Sequence, residues 1–493
     1  MPPHLPAADD TLPASLQRGC ERLSELGVRY ADIRVVDREQ EMLQVRNEEV
    51  DSAWTTRDRG FGVRALVGDA WGYSASANVS DAEISRCVDE AVAIARTGAP
   101  AARRVVDLGG PSPQRGEWQT RVERDPFDQV SAAEKVEALV SLSRTLRRTP
   151  HVVVAKALAH CLRTTTHLCS TEGTLIRQRT VHTGGGIAAT AERNGEVQQR
   201  TWPKHFEGNI VSGGWERWVG FALEREAPRV AEEAVALCTA PVCPTRDDAT
   251  VILDPSILSL QLHESCGHPT ELDRAFGEEV SLAGASFLTP DRLGAGYRYG
   301  SDLVTIYADA TSEAGCGTFG WDDEGTPAHR TDLVSRGIFT GYLSSRESAR
   351  RVGLPSAGSL RADSWRSVPI VRMINVNLEP GQGSFDDLIA STEDGVLISG
   401  SKSWSIDDLR LNFQFGCELA REIRGGKLGQ LYRNPVYTGI TPRFWRGCDA
   451  ICGPEEWQMW GFLHCGKGDP IQTIHVGHGV APARFRGVRI GTT

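Results

Sequence analysis

The sequence predicts an α+β fold: an N-terminal sheet with capping-box helices, followed by a strand-rich C-terminal domain that carries one motif-bearing helix. Two capping boxes, Ser80 with Glu83 and Ser131 with Glu134, open helical stripes in the first 150 residues. From about residue 245 onward, short β-prone runs dominate. There Leu409, Leu411, Phe413 and Phe415 alternate with Arg410, Asn412 and Gln414, the two-residue period of a half-buried strand. These patterns divide the chain into an N-terminal α/β domain (1–108), a middle α+β domain (109–244) and a C-terminal β-rich domain (245–493).

In the first region a helix runs through Leu16, Cys20, Leu23 and Leu26 and closes at Gly27. Antiparallel strands follow around Ile33 to Val36, Met42 to Val45 and Gly62 to Leu66, with a turn at Gly68 and Asp69 before Trp71. The Ser80 helix buries Ile84, Cys87, Val88, Ala91, Ile94 and Ala95, and Gly98 with Pro100 ends it. Residues 99–118, rich in proline, glycine and arginine, read as a linker. In the second region the Ser131 helix turns Val136, Leu139, Val140 and Leu146 inward. Strand-like segments then run to about Val211, and a helix near Val230 to Leu237 precedes Pro241 and Pro244. Gly184 to Gly186 lacks the Lys-Ser/Thr of a phosphate loop and reads as a bend. In the third region Thr250 to Leu253 is a strand, Asp254 an N-cap and Pro255 the first helical residue, with Ile257, Leu258 and Leu262 on an apolar face.

Bulk properties exclude several classes. At 40% hydrophobic and 24% charged residues the chain is of ordinary globular composition, long enough for two or three domains. A net charge of −10 without a basic block argues against nucleic-acid binding. No run is long and apolar enough to span a bilayer, and the N-terminus lacks the basic region and apolar core of a secretory signal. Twelve cysteines in 493 residues are no disulfide framework, so reduced thiols and a cytoplasmic location are expected.

The helix after Asp254 leads into His263-Glu264-Ser265-Cys266-Gly267-His268. In H-E-x-x-H metallohydrolases the histidines are four apart, about 40° around a helix; here they are five apart, about 140° on a regular helix. For both imidazoles to serve one metal the helix must be widened by a π-bulge, whose bonding brings positions five apart nearly into line, or must end at Gly267. Pro269 favours such a distortion, because it biases His268 away from the α region.

A catalytic zinc takes three protein ligands and leaves a position for water. Candidates for the third are Cys465, His464, His475, His478 and the acidic turn Asp322-Asp323-Glu324-Gly325. Gly466 would let the backbone approach a metal at Cys465, and Lys467 would favour its thiolate. Glu264 is the natural general base. Other readings stand beside these. Cys266 paired with His268 would make a thiol hydrolase, but a buried structural thiol is the commoner role, and Cys448 and Cys452 read as core residues.

Further strings add to the motif: Gly60-Phe61-Gly62-Val63-Arg64, Phe319-Gly320-Trp321-Asp322-Asp323-Glu324-Gly325-Thr326-Pro327, Val371-Arg372-Met373-Ile374-Asn375, Leu378-Glu379-Pro380-Gly381, Ser403-Trp404-Ser405-Ile406-Asp407 and Cys465-Gly466-Lys467-Gly468. In this order, over most of its length, the chain resembles the TldD/PmbA family of metallopeptidases, in particular the TldD-like members that carry the metal motif. The resemblance implies Zn2+ held by His263, His268 and Cys465, with Glu264 as the catalytic residue activating water at the metal. It implies hydrolysis of small or unfolded polypeptides by a homodimer, or by a heterodimer with a metal-free PmbA/TldE-like relative. The alternative within the same family is a non-catalytic subunit stabilised by zinc. Many members have glutamine where this sequence has Asp469, which leaves substrate preference open.

Overall fold

The computed structural model describes residues 12–205, 207–280 and 284–491; the stretch searched for a targeting signal lies outside the described residues. The first helix, α1 (Leu12–Glu25), leads into β1 (Tyr30–Arg46), β2 (Glu49–Val67) and β3 (Ala70–Ser76). The two strands expected around 33–36 and 42–45 are one 17-residue strand. Its polar middle does not break it because both edges are paired there: Asp37 lies opposite Arg59 on one side and Thr165 on the other. The hairpin turn is Asn47 and Glu48, both at positive φ (51° and 71°), the conformation that matches strand twist in a two-residue loop.

In α2 (Asp81–Gly98) Ser80 is the N-cap residue, but its side chain makes no capping bond. Ile94, expected inside, is 46% exposed, and Val92 is buried at 1%. Ile94 and Val92 flank Ile84 at about 80° on opposite sides, and it is the Val92 flank that is covered. The linker shortens to make room for β4 (Arg115–Gln119), which pairs in parallel with a later strand. At α3 (Ala132–Arg147) the Ser131 hydroxyl accepts the Glu134 N–H at 3.1 Å, while the Glu134 carboxylate turns to Arg124, so only half of the box forms.

The long hairpin β5 (Val152–Ser170) and β6 (Leu175–Arg193) is followed by β7 (Glu196–Trp202), β8 (Asn209–Ser212), α4 (Trp215–Gly220) and α5 (Leu223–Leu237). One eight-stranded sheet spans both regions in the order β3-β2-β1-β5-β6-β4, with β7 and β8 also on β6. Helices α1 and α2 cover its first half and α3 and α5 its second, each burying an apolar core. Gly184 to Gly186 is no bend but the middle of β6. A side chain at any of the three would collide with backbone of Leu158, Trp202, Gly208 or Asn209, so glycine permits the close approach of neighbouring strands.

In the C-terminal region β9 (Arg246–Leu253) pairs in parallel with Asp394–Ile406 and antiparallel with Ala483–Ile490. Val436–Ile440 and Asn412–Arg424 continue the sheet, and Asn412–Arg424 pairs back to Asp394–Ile406. Five strands thus close on themselves around an aromatic core that includes Phe413, Phe415, Tyr437 and Phe444. The strand predicted at 409–415 begins only at Asn412; Leu409 is exposed and Arg410 is at φ +63°. The two halves of the chain are joined by a buried ion pair. Arg200 of β7 donates to Glu418 at 2.6 Å and to Glu233 at 2.8 Å, and Thr201 contributes two further bonds to Glu418. All twelve cysteines are free and buried, and among the described residues no helix is long and apolar enough to cross a membrane.

Helix α6 (Pro255–Leu262) starts as expected, with the Asp254 carboxylate accepting the Ser256 and Ile257 N–H groups. Residues 256–262 are all buried, so the helix is core on every side. It does not stop at Gly267. It widens into a π-turn, His263–Gly267, in which the His268 N–H donates to the His263 carbonyl, and then tightens into a 3-10 turn, His268–Thr270. Widening displaces carbonyls from their usual donors, and neighbours supply replacements: Tyr299 Oη donates to Ser265 O at 2.8 Å, and Thr270 Oγ1 lies 2.8 Å from Cys266 O and 2.9 Å from Gly267 O. Gly267 answers to contact rather than to φ: a Cβ there would lie 2.2 Å from Met373 Sδ, so that side chain would have to shift. Thr270→Val keeps the volume but removes the donor to two buried carbonyls. It is expected to destabilise the protein by about 1–3 kcal/mol, read as an earlier urea transition; an unchanged transition would mean that the widened turn needs no such support.

Candidate metal centre

The π-turn turns both imidazoles to one side. The His263 and His268 rings lie 4.8 Å apart between centroids, and one ligand atom each from His263, His268 and Cys465 all fall within 4.8 Å of one another. Cys465 comes from the ribbon formed by Gln458–Lys467 and Gln472–Val480, about two hundred residues downstream. Its Sγ is 3.9 Å from His268 Nε2.

Hydrogen bonds assign the free nitrogen on each ring. His478 Nδ1 is 2.9 Å from the Val376 carbonyl, which only accepts, so His478 Nε2 carries a lone pair. That lone pair receives the proton of His263 Nδ1 at 2.8 Å, leaving His263 Nε2 unprotonated. His268 Nδ1 donates to Glu271 Oε2 at 3.0 Å, so its Nε2, facing Cys465, is also a lone pair. Burial pushes His268 down to about 3 and His263 well below the ordinary range, so both rings are neutral near pH 7. Two imidazole lone pairs and a thiol fit a zinc-like ion, and each ring is held by an outer partner as metal-binding histidines are.

Burial drives Glu271 toward protonation, but Lys467, His268 and Arg274 outweigh it and hold the carboxyl low. Lys467 spends its charge here, 2.6 Å from Asp273 and 3.7 Å from Glu271, with a further bond to the Val371 carbonyl. The cation that favours the Cys465 thiolate is instead Arg372, which also donates to the Cys465 carbonyl; burial still raises the thiol overall. Glu264 is raised by burial and opposed mainly by Arg410, whose Nη1 lies 2.9 Å from Oε2. The alternation at 409–415 marked Arg410 as outward-facing. Its positive φ and the exposed Leu409 show a turn there, which delivers the guanidinium to Glu264.

The other candidates separate. His478 is a partner of His263. His464 pairs with Glu207 at 2.8 Å and is largely exposed. His475 faces away toward His182 at 3.1 Å. Asp322 accepts N–H groups of Glu324, Thr326 and Leu360 and serves the turn, while Asp323 pairs with Arg34. Cys266 is fully buried, with its thiol pushed up to about 12, which disfavours the thiolate a nucleophile needs. Asp469 is exposed at the tip of the ribbon. A cavity of about 640 Å³ lies beside the ribbon, but none of His263, Glu264, His268 and Cys465 lines it.

Comparison with known proteins agrees with this picture at the level of family. Residues 31–95, 125–237 and 246–492 match PmbA/TldA metallopeptidase domain 1, the central domain and the C-terminal domain respectively. A metalloprotease of Methanothermobacter thermautotrophicus is 30% identical over 94% of this chain and 96% of its own. Among solved structures, a Thermotoga maritima protein described as a modulator of a DNA gyrase superposes with a TM-score of 0.78 at 16% identity, covering 97% of this chain and 99% of that one. TldE from Thermococcus kodakarensis gives 0.72 at 15% identity, covering 97% and 100%. The chain belongs to the PmbA/TldD family of metallopeptidases.

Proposed function

We propose that the protein is a zinc-dependent peptidase acting on small or unfolded polypeptides in the cytoplasm, with His263, His268 and Cys465 as metal ligands and Glu264 as general base. The observation that carries this reading is the convergence of two neutral imidazoles and a thiol beside a buried carboxylate. A zinc ion in such a set supplies Lewis acidity and lowers the pKa of water to about 7. Glu264 takes the proton of the attacking water and returns it to the leaving amine. Burial makes it more basic than a surface glutamate, and Arg410 opposes that rise. His478 and Glu271 hold the two rings in their tautomers.

A purely structural zinc site would take a fourth protein ligand. Cys266 bonds Tyr299, His464 bonds Glu207 and His475 bonds His182, which supports the catalytic reading over that of a zinc-stabilised, non-catalytic subunit. The cluster is at most 6% exposed at any of its four residues, which suits an extended chain and excludes a folded protein. The working unit is proposed as a dimer, either of two such chains or with a metal-free relative of the TldE type, a likeness that TldE itself suggests.

Glu264→Gln is expected to lower peptide cleavage by about 100-fold or more while metal content, measured by atomic absorption, is unchanged. Retained cleavage would remove the general-base role. His478→Ala frees the His263 ring and should weaken metal binding by about 10–100-fold in chelator competition; undiminished affinity would mean that the ring needs no outer support. Loading this cluster at pH 7 should release about one proton. The thiol, raised by burial, holds that proton, whereas the imidazoles, lowered by burial, hold none. Affinity should therefore rise about tenfold per pH unit near neutrality. Calorimetry in buffers of different ionisation enthalpy, with His268→Ala as the blank, reads the proton count, and a release of two or more would contradict the neutral imidazoles.

A further inference from the structure

On the opposite side of the ribbon from Cys465 stands a second cluster of metal-binding type that the peptidase reading does not use. His475 belongs to the ribbon, His182 to β6, and Cys316 to the loop before Phe319. One ligand atom from each falls within 4.8 Å of the others. We propose that His182, Cys316 and His475 form a second site for a thiophilic transition-metal ion, which clamps the middle region to the C-terminal ribbon. This goes beyond the proposed peptidase centre and does not depend on it.

Three features support the site. The two imidazoles meet Nδ1 to Nδ1 at 3.1 Å, and burial keeps both uncharged, the state in which imidazole binds metal. If this contact is a plain hydrogen bond, His182 Nε2 still lies buried with no partner. His160, which packs against His475 at 5.6 Å between ring centroids, likewise has Nδ1 buried and unpartnered. Such a concentration of unmatched imidazole nitrogens is costly in a site with no ligand.

The loop carrying Cys316 is fixed from both ends. Ser212 N–H donates to Ala314 O at 2.8 Å, and Gly317 N–H donates to Asn375 Oδ1 at 2.8 Å. Arg361, bonded to the carbonyls of Met373 and His475, and Lys204 both favour the Cys316 thiolate against the burial that raises it. Two nitrogens and one sulfur select zinc or a similarly soft ion over magnesium or calcium. His182 and His475 both line the 640 Å³ cavity, which gives an ion a route to the cluster.

The test uses the full chain, stripped by chelation and titrated with Co2+, whose thiolate charge-transfer absorption reports sulfur ligands. The native protein should bind about two equivalents. Cys465→Ser should keep about one, with a thiolate band that only Cys316 can supply, and its unfolding midpoint should rise on metal addition. Cys316→Ser should also keep about one, with the band reduced by about half. Absence of a thiolate band from the cobalt form of Cys465→Ser overturns the proposal, as does Cys316→Ser binding the same number of ions as the native chain. Failure of the peptidase centre reads differently: Cys316→Ser then binds no cobalt, while Cys465→Ser still shows its band.

Discussion

The geometry of the centre depends on one backbone hydrogen bond, from the His268 N–H to the carbonyl of His263 five residues back. In a regular helix that N–H would reach Glu264 instead, and the two imidazoles would diverge by about 140°. Shifting the bond by one residue brings the rings to the same side, and the rest of the neighbourhood makes the shift tolerable. Tyr299 and Thr270 take over displaced carbonyls, Trp445 donates to the Ser265 hydroxyl at 2.9 Å, and Met373 packs where a side chain on residue 267 would stand. A π-turn in open solvent would relax to α. In this one, every residue from 263 to 268 is buried and several of the displaced carbonyls have new donors, so relaxation would break contacts on several sides at once.

The core of the centre was legible because its spacing is wrong for the ordinary alternative. Histidines five positions apart demanded a distorted helix, and Asp254-Pro255 marked where that helix begins; Pro269, by contrast, did not move His268 out of the α region, where it stays at φ −61° and ψ −45°. Cys465 was one candidate among several on spacing alone, and the family resemblance singled it out. The supporting residues were not legible. Arg410 sits in a segment whose alternation imitates a strand, and only its backbone conformation reveals the turn. His478 looked equivalent to His475, because an odd separation puts the two on opposite faces of a strand without saying which face meets the metal. They in fact face opposite clusters. Lys467 was read as the helper of the neighbouring thiol, yet an alternating strand sends adjacent side chains apart, and its charge goes to Glu271 and Asp273.

The fold followed the same logic. Helices with strong periodicity and a good cap, such as α3 and α6, were predicted almost to their ends. The long strand β1 was split in two because its polar middle resembles a turn, and its continuity comes from partners on both edges that are distant in sequence. Gly184 to Gly186 misled for a related reason: glycine there answers to the approach of neighbouring backbone, which no local pattern records.

The electrostatics explain how one carboxylate near the cluster remains available for chemistry while others do not. Glu271 is tied to His268, Arg274 and Lys467, so its charge is spent on orientation. Glu264 pairs with Arg410 through a single oxygen, Oε2. Without Arg410, burial would raise the Glu264 carboxyl further. A glutamate paired as tightly as Glu271 would be too weak a base to take a proton from water. Glu264 lies between these limits, its affinity for a proton raised by burial and trimmed mainly by Arg410, with a smaller part from Arg274. In the proposed mechanism Arg410 therefore acts through Glu264, setting how readily that carboxylate takes up the water proton.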